Sequence, residues 1–160
     1  MEYETKELNE ETRKNLSGEF IQLSDGFTHY ELDGDANGEV VVLVHGFSTP
    51  LFVWDPTFRF LVKEGFRVLR YDLYGRGYSD RPLIRYTMDL FVKQLFELVE
   101  KLELTGEKFN LVGLSMGGGI TVVFADKYPT LVKKASLIDP IGFSMGRNFL
   151  LSILKIPILN

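Results

Sequence analysis

Phe109-Asn110-Leu111-Val112-Gly113-Leu114-Ser115-Met116-Gly117-Gly118-Gly119 is the stretch on which the reading of this chain turns. Phe109 to Val112 reads as a short apolar strand, and Met116 to about Lys127 as a helix that Pro129 stops. Between them lies the pentapeptide G-x-S-x-G. A serine on so sharp a strand-to-helix turn has its hydroxyl pushed out at the top of a parallel sheet, within reach of a substrate. Gly113 and Gly117 have a steric reason, because side chains two residues either side of a serine held at positive φ would collide. The helix starting at Met116 aims its positive dipole end at the serine oxygen. Ser115 is therefore the candidate nucleophile. The competing reading is a structural turn or a phosphate loop, and neither G-x-G-x-x-G nor G-x-x-x-x-G-K is present here.

Working outward, strands and helices alternate. Val40 to Val44 is a continuous apolar, largely β-branched run, the mark of a strand covered on both faces and central in a parallel sheet. A helix from about Pro56 to Glu64 follows, with Asp55 as cap, Pro56 in its first turn and Gly65 at its end. The run from Phe66 to Tyr71 reads as the next strand. From about Met88 to Lys101, Met88, Phe91, Val92, Leu95, Val99 and Leu102 recur at helical spacing behind a Thr87 cap. Ala135 to Ile138 is a last strand, ending at Asp139-Pro140. Ahead of all this, Phe20 to Leu23 and Phe27 to Leu32 flank a Ser24-Asp25-Gly26 turn and read as an antiparallel hairpin. The expected fold class is α/β, with a mostly parallel sheet, helices on both faces and a leading hairpin. Residues 1–18 form a polar segment, read as a frayed or short surface helix; 19–140 form the core; 141–160 are a separate closing segment.

Composition fits one globular domain: 160 residues, 45% hydrophobic and 25% charged, with a net charge of -4. The first twenty residues hold six acids and three bases, leaving sixteen against fifteen in the other 140. So neutral a body, without a basic stripe, argues against nucleic acid as a partner. The absence of cysteine excludes disulfides, thiolate metal sites and a cysteine nucleophile. No clustered ligand set suggests a metal or organic cofactor, so none is expected. Met1 to Glu7 lacks the basic and apolar regions of a secretory signal, and the expectation is a cytoplasmic protein. Phe143 to Leu159 is apolar but interrupted by Arg147, Asn148, Lys155 and Pro157. It falls short of the roughly twenty apolar residues a spanning helix needs.

His45-Gly46-Phe47 closes the strand from Val40 to Val44. Crevices in parallel sheets form outside the carboxyl ends of strands, so this loop and the serine turn are expected to face one cavity. The amides of Phe47 and Met116 are then the two donors placed for an oxyanion. Phe47, Phe52, Trp54, Tyr74 and Met116 are candidates either for an apolar acyl pocket or for plain core.

From Phe20 to Asp139 the chain resembles the α/β-hydrolase superfamily. The resemblance rests on His45-Gly46-Phe47, on Asp72-Leu73-Tyr74-Gly75-Arg76-Gly77-Tyr78-Ser79 and on Gly113-Leu114-Ser115-Met116-Gly117, each after its own strand. It implies Ser115 as nucleophile, Phe47 and Met116 as oxyanion hole, and an acid and a histidine from later strands. It also implies that His45 and Gly46 support the oxyanion loop, that Asp72, Gly75, Gly77 and Ser79 shape the loop after their strand, and that 141–160 begin a lid.

The chain departs from that pattern in its histidines, His29 and His45, neither of which follows Ser115. Without a base a serine hydroxyl is a weak nucleophile at neutral pH. His45 as a substitute base is weighed against local support of its loop, and support is favoured. His29 reads as a surface or partly packed side chain. Asp139 is a candidate acid, or it starts a turn. Asp80 and Arg81 are expected to form a surface pair. Two functions follow: a serine hydrolase cleaving an ester or related acyl bond of a small molecule through an acyl-serine intermediate, with half the triad absent, or a truncated non-catalytic binding module. In either, the last strand presents an edge for a further C-terminal part or for self-association.

Overall fold

Val40–Val44 does lie in the middle of the sheet. In the computed structural model, which describes residues 8–141, six strands run β1 (Glu19–Leu23), β2 (Gly26–Asp33), β3 (Val40–Val44), β4 (Arg67–Tyr71), β5 (Phe109–Leu114) and β6 (Val132–Ile138). Their spatial order is β1-β2-β4-β3-β5-β6. β1 and β2 pair antiparallel, β2 joins β4 antiparallel, and every remaining pairing is parallel. The helices are α1 (Glu10–Arg13), α2 (Asp55–Lys63), α3 (Met88–Lys101) and α4 (Met116–Lys127). This is the expected sheet with its leading hairpin. Residues 1–7 and 142–160, the latter nearly all of the segment assigned to a lid, lie outside the described residues.

Alternation along the central strands splits the core between two faces. Val42, Val44, Leu69, Tyr71 and Leu111 pack with Phe91, Leu95, Leu98 and Val99 of α3 and Ile120 and Phe124 of α4. Val41, Leu43 and Val68 point the other way, against Trp54 and Phe58. Each fully buried side chain of this kind contributes about 1.5–3 kcal/mol. Thr87 caps α3 as expected, its Oγ1 accepting from the Leu90 N–H at 3.2 Å.

One expectation about elements is corrected. Asp55 does not cap α2: a 3-10 turn at Leu51–Trp54 leads into that helix, Trp54 holds the cap position, and the Asp55 carboxylate pairs with Arg70 and Arg59. A nearly buried guanidinium competes for a carboxylate more strongly than a helix amide does. The N-terminal segment, read as a frayed or short surface helix, contains the short helix α1 over its described part. Arg13 lies 4.2 Å over the Phe27 ring and reaches Asp80 at 2.6 Å, and the Ser17 carbonyl meets the His29 ring at 2.8 Å.

Candidate active site

β5 delivers the chain to Ser115 and α4 takes it away, and the reversal leaves Ser115 at φ 51°, ψ -113°. A non-glycine residue in that region costs about 1–3 kcal/mol and persists only where its surroundings hold it. Here the holding groups are visible. The Ser115 N–H donates to the Ile138 carbonyl at 2.8 Å, and the Ser115 carbonyl accepts from Gly118 (3.0 Å), Gly119 (3.3 Å) and Ile141 (3.1 Å). The end of β6 is thereby fastened to the serine turn. A Cβ on Gly117 would lie 2.2 Å from the Val44 carbonyl oxygen, and one on Gly113 would lie 2.3 Å from that of Gly117, so both must be glycine for α4 to approach β3. Ser115 is partly exposed.

The loop after β3 arrives beside it. A Cβ on Gly46 would sit 3.3 Å from the Ser115 Cβ and 3.9 Å from its Oγ, so the backbone next to Phe47 runs directly past the hydroxyl. Among the described residues neither the Phe47 nor the Met116 N–H has a hydrogen-bond acceptor. His45 is fully buried beneath this loop. Its Nδ1 lies 2.7 Å from the Gly46 carbonyl and its Nε2 lies 3.0 Å from the Leu73 N–H, an arrangement that suits the neutral ring protonated on Nδ1. Desolvation holds its pKa below the ordinary histidine value, outweighing the Gly46 hydrogen bond and the charge of Asp72. With both nitrogens engaged, His45 is not placed to take a proton from Ser115.

His29 is corrected: it is buried, not at the surface. Its Nδ1 is 2.8 Å from Asp72 Oδ2. Asp72 also accepts from the Leu51 N–H (2.8 Å) and the Tyr78 N–H (2.9 Å), and so ties together the loops after β3 and β4. Ser79 donates to the Asp72 carbonyl at 2.6 Å. The sequence hid this because the partners come from three separate segments, β2 and the loops after β3 and β4. Asp80 turns to Arg13 and to the Phe27 N–H. Asp139, at φ 42° just beyond β6, is exposed and makes no hydrogen bond among the described residues.

The five aromatic and sulfur side chains considered for an acyl pocket do not converge. Tyr74 and Trp54 are core on different sheet faces, Phe47 and Phe52 are exposed on separate clefts, and only Met116 and Phe47 adjoin the serine turn. Sequence reasoning missed Gln94, whose side chain accepts from the Tyr74 N–H at 3.0 Å and donates to Thr28 and to the Asp72 carbonyl. The available signal was a polar residue inside the apolar stripe of α3. Among the described residues no group of three or more His, Asp or Glu could hold a metal ion, and no helix is long and apolar enough to cross a membrane.

A family model described as alpha/beta hydrolase fold matches residues 39–158. The chain is 32% identical over 123 residues to a non-heme chloroperoxidase of Streptomyces lividans, covering 76% of this chain and 44% of that protein. It is 35% identical over 107 residues to a monoacylglycerol lipase of Xenopus laevis, covering 66% and 32%. Among solved structures, one from work on carboxylesterases of the thaumarchaeon Nitrososphaera gargenis superposes with a TM-score of 0.78 at 28% identity, over 86% of this chain and 51% of that one. The chain thus spans about a third to a half of the length of these relatives.

Proposed function

Since the chain belongs to the α/β-hydrolase fold family, we propose that it carries the nucleophile half of a serine hydrolase acting on an ester or related acyl bond. The observation that carries the reading is the pair of amides, Phe47 and Met116, without an acceptor among the described residues, beside a serine held at positive φ. In the proposed reaction Ser115 Oγ attacks the acyl carbon. The carbonyl π electrons move onto oxygen, where the two N–H groups and the N-terminal end of α4 receive the charge. The hydroxyl proton passes to a base, the alcohol leaves with a proton, and water then releases the acid from Ser115.

His29 and His45 both have their ring nitrogens occupied, and the chain holds no third histidine. The base is therefore proposed to come from outside these 160 residues. Asp139 keeps its candidacy as the acid on position alone, beside the β6 residue that binds the Ser115 N–H. A small-molecule acyl substrate and no resident cofactor complete the proposal. Incubation with a p-nitrophenyl ester and added imidazole is the test. An acyl mass increment on Ser115 supports the reading, and release of p-nitrophenol at an unchanged rate by Ser115→Ala overturns it.

One observation favours the second reading, a non-catalytic binding module: β6 is exposed along almost its whole length. Acylation absent at every imidazole concentration, together with stable association through β6, selects that reading.

A further inference from the structure

A cleft of roughly 1040 Å³ opens on the far side of Phe47, and it has an unusual balance of charge. Arg76 and Arg85 line it, and none of its described lining residues is acidic. Its apolar part includes Phe47, Leu83 and Tyr86, all exposed, with Leu83 entirely in solvent.

Arg76 is held as a ligand-binding group would be. Its Nε donates to the Phe47 carbonyl at 3.0 Å and one terminal nitrogen donates to the Tyr74 carbonyl at 3.0 Å. The guanidinium lies 4.5 Å over the Phe47 ring and 5.9 Å from that of Tyr86. Neutral carbonyls and rings orient the charge without cancelling it, and partial burial lowers its pKa, the mark of a poorly solvated cation. Arg13 and Arg70, by contrast, each face a carboxylate. Arg85 has no carboxylate partner among the described residues and stands at the cleft rim.

We propose that this cleft binds the carboxylate of an amphiphilic acid, with its apolar body on Phe47, Leu83 and Tyr86. A planar guanidinium matches a carboxylate in geometry as well as in charge. The inference deepens the proposed function and rests on it at one point. Phe47 belongs both to this cleft and to the loop beside Ser115, so the class of substrate named is an ester or related acyl compound whose acid part carries a second, free carboxylate.

Calorimetric titration of the chain with decanoate and with decanol tests it. Decanoate is expected to bind at least about tenfold more tightly than decanol, the advantage shrinking as salt is added. Arg85→Gln is expected to weaken decanoate about tenfold and Arg85→Lys to restore most of the loss. Arg76→Gln is expected to weaken it further. Arg85 is exposed, so its variants report even if removal of Arg76 disturbs the Phe47 loop. Equal affinity for decanol, or decanoate binding unchanged in both glutamine variants, overturns the proposal. So does binding to phosphatidylserine vesicles that decanoate does not displace, which assigns the arginines to a membrane surface. Ser115→Ala should leave decanoate affinity intact. Arginine-dependent binding without any acylation of Ser115 would keep the cleft and reject the nucleophile.

Discussion

At the scale of single residues, the candidate site combines a strained serine with two amides that have no acceptor among the described residues. Ser115 at φ 51° gains nothing conformationally from its side chain. Ser115→Gly is therefore expected to stabilise the fold by about 1 kcal/mol and Ser115→Ala to leave it near the parent, as thermal melts can check. Equal melting temperatures for all three would mean that the turn is unstrained. His45 makes a prediction about pH. Its folded pKa is depressed, so below about pH 6.5 the unfolded chain binds a proton that the folded chain resists. Its contribution to stability is complete above that value and is lost as the pH falls. Urea midpoints of the parent should drop more between pH 7 and 5 than those of His45→Gln, and parallel curves would remove His45 from the account. The strand-to-helix turn at Ser115 was legible in the sequence because its motif is local. The role of Asp72 was not, because its hydrogen-bond partners come from β2 and from the post-β3 and post-β4 segments, which only the tertiary fold unites.

Elements were legible to the extent that their burial repeats. The apolar run of β3 and the helical spacing of α3 have one physical explanation each, and both stand where the pattern placed them. Where burial is polar the pattern is silent. Gln94 sits on the inner face of α3 because three backbone and hydroxyl groups at the ends of β2 and β4 need a partner there. Gln94→Leu keeps the volume but leaves the Tyr74 N–H buried and unpaired, at an expected cost of about 2–4 kcal/mol in chemical denaturation. A change within about 0.5 kcal/mol would show that this network is dispensable. The start of α2 was misread for a related reason, since the ion pair of Asp55 with Arg70 overrides local propensity.

At the scale of the molecule, the described sheet is asymmetric. β1 is short and half covered, whereas β6 lies at the other end with Leu137 and Ile138 exposed. Such an edge templates pairing with another strand. Light scattering of the chain is expected to show species larger than a monomer, with Leu137→Lys and Ile138→Lys shifting them toward monomer; a monodisperse parent chain contradicts this. The same strand holds the Ser115 turn through Ile138, so whatever covers β6 also bears on the site. The proposal on which all else rests is that Ser115 is the serine presented to an acyl group. Peptide mass mapping after fluorophosphonate treatment, with and without imidazole, tests it most directly. The account predicts modification at Ser115 alone, accelerated by imidazole and absent from Ser115→Ala. Modification spread over several serines, or indifferent to the alanine substitution, would contradict it.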